Sequence, residues 1–344
     1  LSESKIDKFH MDIAASIQKV TEEIIIKIVK NMKEEYGGSN LCMAGGVALN
    51  CVINGILKKK KIFKNIWIQP ASGDAGGAIG AALAYWYNQK RNKRRVTSND
   101  QMQGSFLGPS FSNHDTKKQL ELVGAKFKKV SKRKLISDIP KYISNGQSVG
   151  WFQGRMEFGP RALGNRSILA DPRNKNMQKN LNLKIKYRES FRPFAPAILD
   201  KDQSSWLELK EPSPYMLLVS MIKREKRILS KVQNGCLKVI NEIRSKIPAI
   251  THVDYSARIQ TVQNSTNALF YELINSFGKL TGVPLLINTS FNIRGEPIVC
   301  SPEDAFRCFM GTNLDILVIE NFILKKTEQN KNLLNSYKDK FKLD

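Results

Sequence analysis

Apolar positions in the first quarter of the chain predict one long helix followed by two strand–turn–helix units. Across residues 11–36, apolar side chains recur every three or four positions: Ile13, Ile17, Val20, Ile24, Ile28 and Met32. This spacing is typical of an amphipathic helix, and Gly37-Gly38 provides its C-terminal stop. Residues 40–50 and 66–81 each combine a short apolar run with a glycine-rich turn. That pattern predicts a buried strand that leads into a helix.

The rest of the chain alternates between strand-like and helix-like segments. We predict strands at 149–153, 215–220, 284–288 and 316–319, a loop entering a strand at 190–198, and helices at 265–278 and 302–311. Polar sequence without periodicity predicts a linker at 91–105 and a polar tail at 329–344. The predicted fold class is α/β (α+β), with one domain over residues 1–90 and a second over residues 106–328.

Composition adds one strong feature, an excess of positive charge. The 344 residues include 55 Lys and Arg against 31 Asp and Glu, a formal net charge of +24. This excess favours an anionic partner such as a nucleotide, a phosphate or a nucleic acid, and the alternative is a surface of solvated lysines. The basic runs at 58–61, 90–95 and 126–134 lack interleaved aromatic residues. Nucleic-acid binding is therefore disfavoured.

Cysteine usage and hydropathy indicate a cytoplasmic protein without a membrane segment. No run of about 18 apolar residues occurs, and the first residues lack the apolar core of a secretory leader. The chain opens in helix-like sequence without an initiator Met, as a truncated chain would. The five cysteines are Cys42, Cys51, Cys236, Cys300 and Cys308. They lack CxxC spacing, which disfavours a zinc cluster, and their odd number favours a reduced state.

Two glycine-rich turns in the first domain are candidate ligand sites. One contains Gly45 and Gly46, and the other, Ser72 to Gly77, contains Asp74. Glycine lets a backbone approach a ligand closely, and the N-terminus of a helix attracts anions. The carboxylate of Asp74 could coordinate a metal or accept a hydrogen bond from a hydroxyl. The alternative is tight strand–helix packing with Asp74 as a helix cap, and neither turn matches a known phosphate-loop fingerprint.

Three segments of the second domain combine cations with a backbone stiffened by glycine or proline. Residues 157–167 carry Arg161 and Arg166, residues 184–196 carry four cations, and residues 288–295 carry amides, hydroxyls and one arginine. A nucleotide α-phosphate under attack needs cations and N–H donors around its oxygens. Arg258 adds a further cation, whereas His252 alone is more typical of a structural histidine. The alternative interpretation is a structural ion-pair network.

These motifs, taken together and in order, resemble the O-carbamoyltransferase family, which includes nodulation-factor and antibiotic-tailoring enzymes. The resemblance rests on Met43–Cys51, Gln69–Ala78, Phe158–Ser167, Lys186–Pro196 and Asn288–Asn292, and it extends from about residue 9 to about 325. It implies a partial actin-like (ASKHA) domain followed by a YrdC-like domain with a twisted sheet. In the family, the YrdC-like domain forms carbamoyl adenylate, and the actin-like domain transfers the carbamoyl group to a hydroxyl.

The resemblance also implies roles for individual residues. The implied catalytic phosphate and carbamoyl contacts are Arg161, Lys186 and Arg192. Further nucleotide or carbamoyl contacts are implied in the KxR and SxN elements and elsewhere: Arg188, Arg258, Asn288, Ser290, Asn292, Gly45 and Gly46. Asp74 resembles the metal-ligand aspartate of the family.

The implied ligands are ATP, carbamoyl phosphate and a hydroxyl-bearing acceptor; the resemblance allows Mg²⁺ beside ATP and a homodimer. Family members are longer, so the front half of the actin-like domain is expected to be absent. Its paired histidines are absent too, since His10, His114 and His252 do not form an HxxxH or HxxH pair. The family's Fe²⁺ site is thus expected to be incomplete. A nucleotide-binding module without turnover and a basic RNA-binding YrdC-like protein remain as alternatives.

Overall fold

The first region of the chain contains three helices and a two-stranded parallel sheet. The structure is a computed structural model that describes residues 6–97, 100–229, 240, 242–334 and 341. The elements of the first region are α1 (Lys8–Tyr36), β1 (Asn40–Met43), α2 (Cys51–Lys60), β2 (Asn65–Ile68) and α3 (Asp74–Ala84). Leu41 of β1 pairs with Ile66 of β2. The strand–turn–helix units predicted from the sequence are confirmed, but their strands are not buried as predicted, since only Leu41 of β1 and Ile68 of β2 are buried.

The predicted helix α1 forms, but its apolar stripe faces away from the described chain. The buried face carries Val29, which packs with Leu41, Ile53, Leu57 and Phe63 in a small core. The side chains that define the apolar periodicity are instead 39–68% exposed: Ile13, Ile17, Val20, Ile24, Ile28 and Met32. None of the described helices is long and apolar enough to cross a membrane.

Among its described residues, the second region is built on a nine-stranded mixed sheet. Its strands are β3 (Lys128–Lys129), β4 (Val149–Phe152), β5 (Arg166–Ala170), β6 (Ala195–Leu199), β7 (Leu218–Met221), β8 (Ser256–Val262), β9 (Leu285–Ser290), β10 (Ile316–Ile319) and β11 (Phe322–Lys325). The order across the sheet is β3-β11-β10-β4-β5-β9-β6-β8-β7. The pairs β4–β10 and β6–β8 are parallel and the remaining pairs are antiparallel.

The helices of the second region cover the two faces of this sheet and enclose two hydrophobic clusters. They are α4 (Asn113–Leu122), α5 (Lys132–Ser144), α6 (Met177–Leu181), α7 (Gln203–Trp206), α8 (Ala268–Thr281) and α9 (Pro302–Gly311). Helices α5 and α8 contribute to one cluster, and α4, α6 and α9 contribute to the other. A core on both sides of the sheet fits the predicted α/β class.

Most predicted elements of the second region are confirmed, with three corrections. The strand predicted at 215–220 begins later, at Leu218, and four strands were missed, the short strands β3 and β11 at one edge of the sheet and the longer strands β5 and β8. The last two are the informative failures. Both carry arginines and other polar residues, which disguise a strand in the sequence. The polar tail does not begin at 329, because the side chain of Gln329 is buried and hydrogen-bonds the backbone of Lys126. Residues 335–340 and 342–344 of that tail lie outside the described residues.

The first region packs on the edge strand β7 of the large sheet. The side-chain amide of Asn54 in α2 donates to the carbonyl of Leu217, at 3.0 Å. Gly55 lies so close to β7 that a Cβ atom there would be 2.8 Å from the carbonyl oxygen of Val219. Met102, in the segment predicted as linker, is also buried in this contact. Helix α2 therefore covers a sheet edge, and its N-terminus lies beside the strands that form the site described next.

Candidate functional site

A cavity of about 500 Å³ lies where β6, β8 and β9 approach the N-terminus of α2. Four arginines line it: Arg161, Arg188, Arg192 and Arg258. His252, the polar residues of Asn288–Ser290 and Cys51 complete the polar part of the wall, and none of the described lining residues is acidic. A concave site with several cations and no counter-charge on its wall is suited to a multiply charged anion.

Arg161 is positioned by a loop that folds around a buried carboxylate. Oε1 of Glu157 accepts hydrogen bonds from the backbone N–H groups of Leu163, at 2.6 Å, and Asn165, at 2.9 Å. Burial raises the pKa of Glu157, and these hydrogen bonds oppose the rise. Nη2 of Arg161 donates to the carbonyl of Leu49 at 3.3 Å, which joins the loop to the first region.

Arg258 lies in β8 and is the least compensated cation of the cavity. Its Nε is buried and has no hydrogen-bond partner in the described protein. Burial, followed by the charge of Arg161, lowers its pKa to about 10. Removing a guanidinium from water without a partner is costly. A bound anion would relieve that cost.

The loop that carries Arg188 and Arg192 is clamped by the buried side chain of Asn182. Its Oδ1 accepts from Nε of Arg188 at 2.7 Å. Its Nδ2 donates to the carbonyls of Ser190, at 3.1 Å, and Arg192, at 2.8 Å. The pKa of Arg188 is lowered to about 10, first by burial and then by the charge of Arg192. The guanidinium of Arg192 remains exposed, 3.9 Å from Glu189.

Lys186 is buried in a cradle of oxygen atoms next to the arginine cavity. Nζ donates to the carbonyl and Oδ1 of Asn292, each at 2.8 Å, to Oγ of Ser290 at 3.1 Å and to the carbonyl of Ser290. Burial, followed by the charge of Arg188, lowers the pKa of Lys186 to about 7. These contacts hold Ser290 and Asn292 in place, and Lys186 itself lines an adjoining cavity of about 240 Å³ together with Arg188 and Arg192.

Asn288 connects the wall of the cavity to the interior of the sheet. Its Nδ2 donates to the carbonyl of Ala162, at 3.1 Å, and to Oε1 of Gln260, at 2.6 Å. Nε2 of Gln260 donates to the carbonyl of Leu163 at 2.7 Å. This chain of hydrogen bonds connects the loop of Arg161 to strands β8 and β9.

The structure brings most of the predicted site residues together. Arg161, Arg188, Arg192, Arg258, Asn288 and Ser290 line the arginine cavity, whereas Lys186 and Asn292 line the adjoining one. Arg166, the second arginine of the segment that carries Arg161, lines neither cavity. Its guanidinium is buried, stacks 3.5 Å from the ring centre of Phe152 and donates to four backbone carbonyls. Arg166 is therefore a structural residue.

The predicted residues of the first region do not line this cavity. The backbone N–H of Gly45 donates to the carbonyl of Ser72 at 2.8 Å, which joins the two glycine-rich turns. Gly45 and Gly46 are exposed, and a Cβ atom on either would meet no atom within 4 Å. Asp74 is exposed at the first turn of α3. Among the described residues, no three His, Cys, Asp or Glu side chains form a metal site. The residues present therefore do not fit the Fe²⁺ site, and the role of Asp74 stays a prediction.

Two titratable lining residues, Cys51 and His252, were not assigned to the site from the sequence. Cys51, at the start of α2, comes from the first region. The one sequence feature that could have indicated it is its place at the end of the Met43–Cys51 motif. The sequence alone favours a structural role for His252. Burial, together with the charges of Arg258 and Arg244, lowers its pKa and favours the neutral imidazole in the cavity wall.

Two family models match the chain. The one described as Carbamoyltransferase C-terminus matches residues 140–326, and the one described as Carbamoyltransferase N-terminus matches residues 2–83. The C-terminal match contains all four arginines of the cavity, and the N-terminal match contains Cys51 and both glycine-rich turns.

Curated proteins of similar sequence extend over nearly the whole chain. An uncharacterized protein of Synechocystis sp. is 53% identical over 348 residues, covering 99% of this chain and 57% of the relative. Nodulation protein NolNO of Sinorhizobium fredii is 39% identical over 321 residues, covering 92% of this chain and 44% of the relative. Nodulation protein NolO of Bradyrhizobium diazoefficiens is 38% identical over 318 residues, covering 92% and 55%. The chain thus spans about half the length of these relatives.

Proposed function

The chain belongs to the carbamoyltransferase family, and from this membership we propose that its arginine cavity binds ATP and carbamoyl phosphate and forms carbamoyl adenylate. The observation that carries the proposal is a cavity with four arginines and no acidic residue on its described wall. The triphosphate of ATP and the phosphate of the carbamoyl donor are the anions that such a wall accommodates. In this proposal residues 106–328 act as a YrdC-like domain.

The proposed reaction has two steps. Water first hydrolyses carbamoyl phosphate to carbamate and inorganic phosphate. A carbamate oxygen then attacks the α-phosphorus of ATP, and the bond from that phosphorus to the oxygen bridging to the β-phosphate breaks. The products of the second step are carbamoyl adenylate and pyrophosphate, which leaves with the bonding electron pair. Mg²⁺ enters with ATP as part of the substrate.

The residues of the cavity have distinct tasks in this proposal. Arg161 and Arg258 stabilise the negative charge that develops on the α-phosphate oxygens, because their guanidinium groups are partly or wholly buried beside the space the phosphate would fill. Arg188 and Arg192 bind the departing pyrophosphate at the junction of the two cavities. Lys186 is a positioning residue, since its ammonium group is occupied by oxygens of Ser290 and Asn292.

We further propose that the carbamoyl group passes from the adenylate to a hydroxyl of an acceptor molecule. Two of the similar proteins are nodulation proteins, which supports a small or sugar-like acceptor made in a biosynthetic reaction. The described residues hold no complete metal site, so we assign no step of the transfer to Asp74. Cys42, Cys51, Cys300 and Cys308 are free thiols, and we place the reaction in the cytoplasm, where thiols stay reduced and ATP is abundant.

The proposal is tested by measuring pyrophosphate release from ATP with the full chain. Release is expected only when carbamoyl phosphate is also present, and mass spectrometry is expected to detect carbamoyl adenylate. If ATP binds in a calorimeter but no carbamoyl-phosphate-dependent pyrophosphate appears, the chain is a nucleotide-binding module and the proposal is wrong. Tight binding of tRNA that weakens steeply with salt, in place of turnover, would instead favour an RNA-binding protein.

A further inference from the structure

Three buried polar atoms of residues that line the arginine cavity have no hydrogen-bond partner in the described protein: Nε of Arg161, Nε of Arg258 and Oδ1 of Asn288. The first two are donors suited to a phosphate, whereas the third is an acceptor. Asn288 is fully buried in β9, where it pairs with Ala195 of β6 and Leu169 of β5. Asn288 is also one of the residues that line the cavity. While Nδ2 donates two hydrogen bonds, Oδ1 accepts none from the described protein. A buried carbonyl oxygen without a donor is rare in a folded protein.

The surrounding hydrogen bonds fix which end of the Asn288 amide lacks a partner. The backbone oxygen of Leu163 can only accept, so Gln260 must turn Nε2 towards it and leave Oε1 towards Asn288. The backbone oxygen of Ala162 can only accept as well. Both neighbours of the Asn288 amide are therefore acceptors, so Nδ2 must face them. The orphan atom is the oxygen, and flipping the amide would create two repulsive contacts.

A ligand that satisfies this oxygen must carry an N–H or an O–H group. The proposed substrates offer the amino group of the carbamoyl moiety, the 6-amino group of adenine and the ribose hydroxyls. The neighbours of Asn288 on the cavity wall favour the first: Ala162 and Ala195 are small, and Arg161 and Ser290 are polar. The carbamoyl group is bonded directly to the phosphate that the arginines would hold, whereas the ribose hydroxyls and the adenine amino group lie farther along the nucleotide.

We propose that Oδ1 of Asn288 accepts a hydrogen bond from the amino group of the carbamoyl moiety and thereby distinguishes a carbamoyl from an acetyl donor. This assignment rests on the proposed function. An acetyl group has a methyl in place of the amino group, so it would leave the oxygen unpaired in a buried site. Sites that hydrogen-bond a substrate N–H reject analogues that lack it far more strongly than apolar pockets reject a missing methylene. Asn288 is therefore a specificity-determining residue.

The test compares carbamoyl phosphate with acetyl phosphate in the pyrophosphate assay, using the full chain and Asn288→Leu. Leucine keeps the approximate volume and removes the acceptor. The ratio of kcat/KM for carbamoyl phosphate to that for acetyl phosphate is expected to fall by about tenfold or more. If both values fall together and the ratio stays unchanged, Asn288 is only structural and the proposal is wrong. Asn288→Ala gives the same comparison if the leucine variant does not fold.

Gln260→Leu provides the matched control. It removes the other end of the same hydrogen-bond chain but leaves Oδ1 of Asn288 in place, and Gln260 is not among the residues that line the arginine cavity. Its effect on the two donors is expected to be equal. Replacing ATP by ITP, which lacks the 6-amino group, tests the competing assignment. A change in the ATP-to-ITP ratio for Asn288→Leu, without a change in the donor ratio, would assign the oxygen to adenine and overturn the proposal.

The assay separates the two proposals. If the unmodified chain releases no carbamoyl-phosphate-dependent pyrophosphate, the proposed function fails before any variant is compared, and the role of Asn288 fails with it. If the unmodified chain is active and prefers carbamoyl phosphate, but Asn288→Leu keeps the full preference, only the role of Asn288 is wrong.

Discussion

The two regions of the molecule differ in how they bury their apolar residues. The second region encloses hydrophobic clusters on both faces of its nine-stranded sheet. The first region has a small core around Val29, Leu41 and Leu57, and it leaves the apolar stripe of α1 open. Since burial of apolar surface is the main stabilising contribution, the second region gains more stabilisation on folding than the first.

The same contrast applies to the candidate site. The four arginines of the cavity come from the second region, and the first region contributes Cys51 to the wall. The glycine-rich turns and Asp74 lie outside the cavity. Under the proposed function, the second region carries the binding chemistry of this chain, and the first region covers one side of the cavity.

The largest expected effect is on catalysis. Arg161→Ala should lower the rate of carbamoyl-phosphate-dependent pyrophosphate release by about 10²–10³, because a charged donor to the α-phosphate is lost. Asp74→Ala, the counterpart from the first region, should leave this rate within about twofold. Arg133→Ala controls for the loss of a positive charge, since Arg133 is exposed on α5. Equal losses of this rate for Arg161→Ala and Asp74→Ala would contradict the assignment of the binding chemistry to the second region.

The next effect is on stability. Arg166→Leu should lower the free energy of unfolding by about 3 kcal/mol, because four backbone carbonyls lose their donor and Glu157 loses a nearby cation. Urea denaturation followed by circular dichroism measures the change. Arg155→Leu is the matched control: Arg155 is exposed and donates one hydrogen bond, to the carbonyl of Leu107. A similar loss of unfolding free energy in both variants would contradict the structural role assigned to Arg166.

A third effect concerns pH. The pKa of Lys186 is lowered to about 7, so the ammonium group loses its proton as the pH rises through that value. We expect kcat/KM for pyrophosphate release to fall by about tenfold per pH unit above it, because the cradle of Ser290 and Asn292 loses its central cation. Lys186→Arg should abolish this alkaline decline, since guanidinium stays charged.

Lys326→Arg is the control for the pH prediction. The pKa of Lys326 is also lowered, to about 8, but this residue lines neither the arginine cavity nor the adjoining one. Its variant should keep the alkaline decline. A decline that persists in Lys186→Arg and disappears in Lys326→Arg would show that another group controls the rate.

The smallest expected effect lies on α1. Ile17→Ser and Ile24→Ser should change the free energy of unfolding by no more than about 0.5 kcal/mol, because both side chains are more than half exposed. Leu57→Ala, in the small core of the same region, should cost about 2–5 kcal/mol. Denaturation of the three variants checks the difference. Large losses for the two isoleucine variants would mean that the stripe is covered.

The sequence allowed much of this architecture to be predicted, and the failures have physical causes. Apolar periodicity predicted α1 but could not tell which side faces the core, because both sides of that helix carry isoleucines. Strands β5 and β8 were missed because buried polar residues such as Arg166 and Gln260 resemble loop sequence when their hydrogen bonds are unseen. Motifs predicted the cations of the cavity, but they could not distinguish Arg161 from Arg166, which are five residues apart in one motif. The loop that folds around Glu157 places Arg161 in the cavity wall and Arg166 in the interior.

The clamp formed by Asn182 has a kinetic consequence. Because its side chain already ties down the loop of Arg188 and Arg192, that loop does not have to be ordered when a ligand arrives. Association is then governed by diffusion and by attraction between the arginines and an anion. The rate of association should accordingly slow as added salt shortens the Debye length, while the rate of dissociation changes much less.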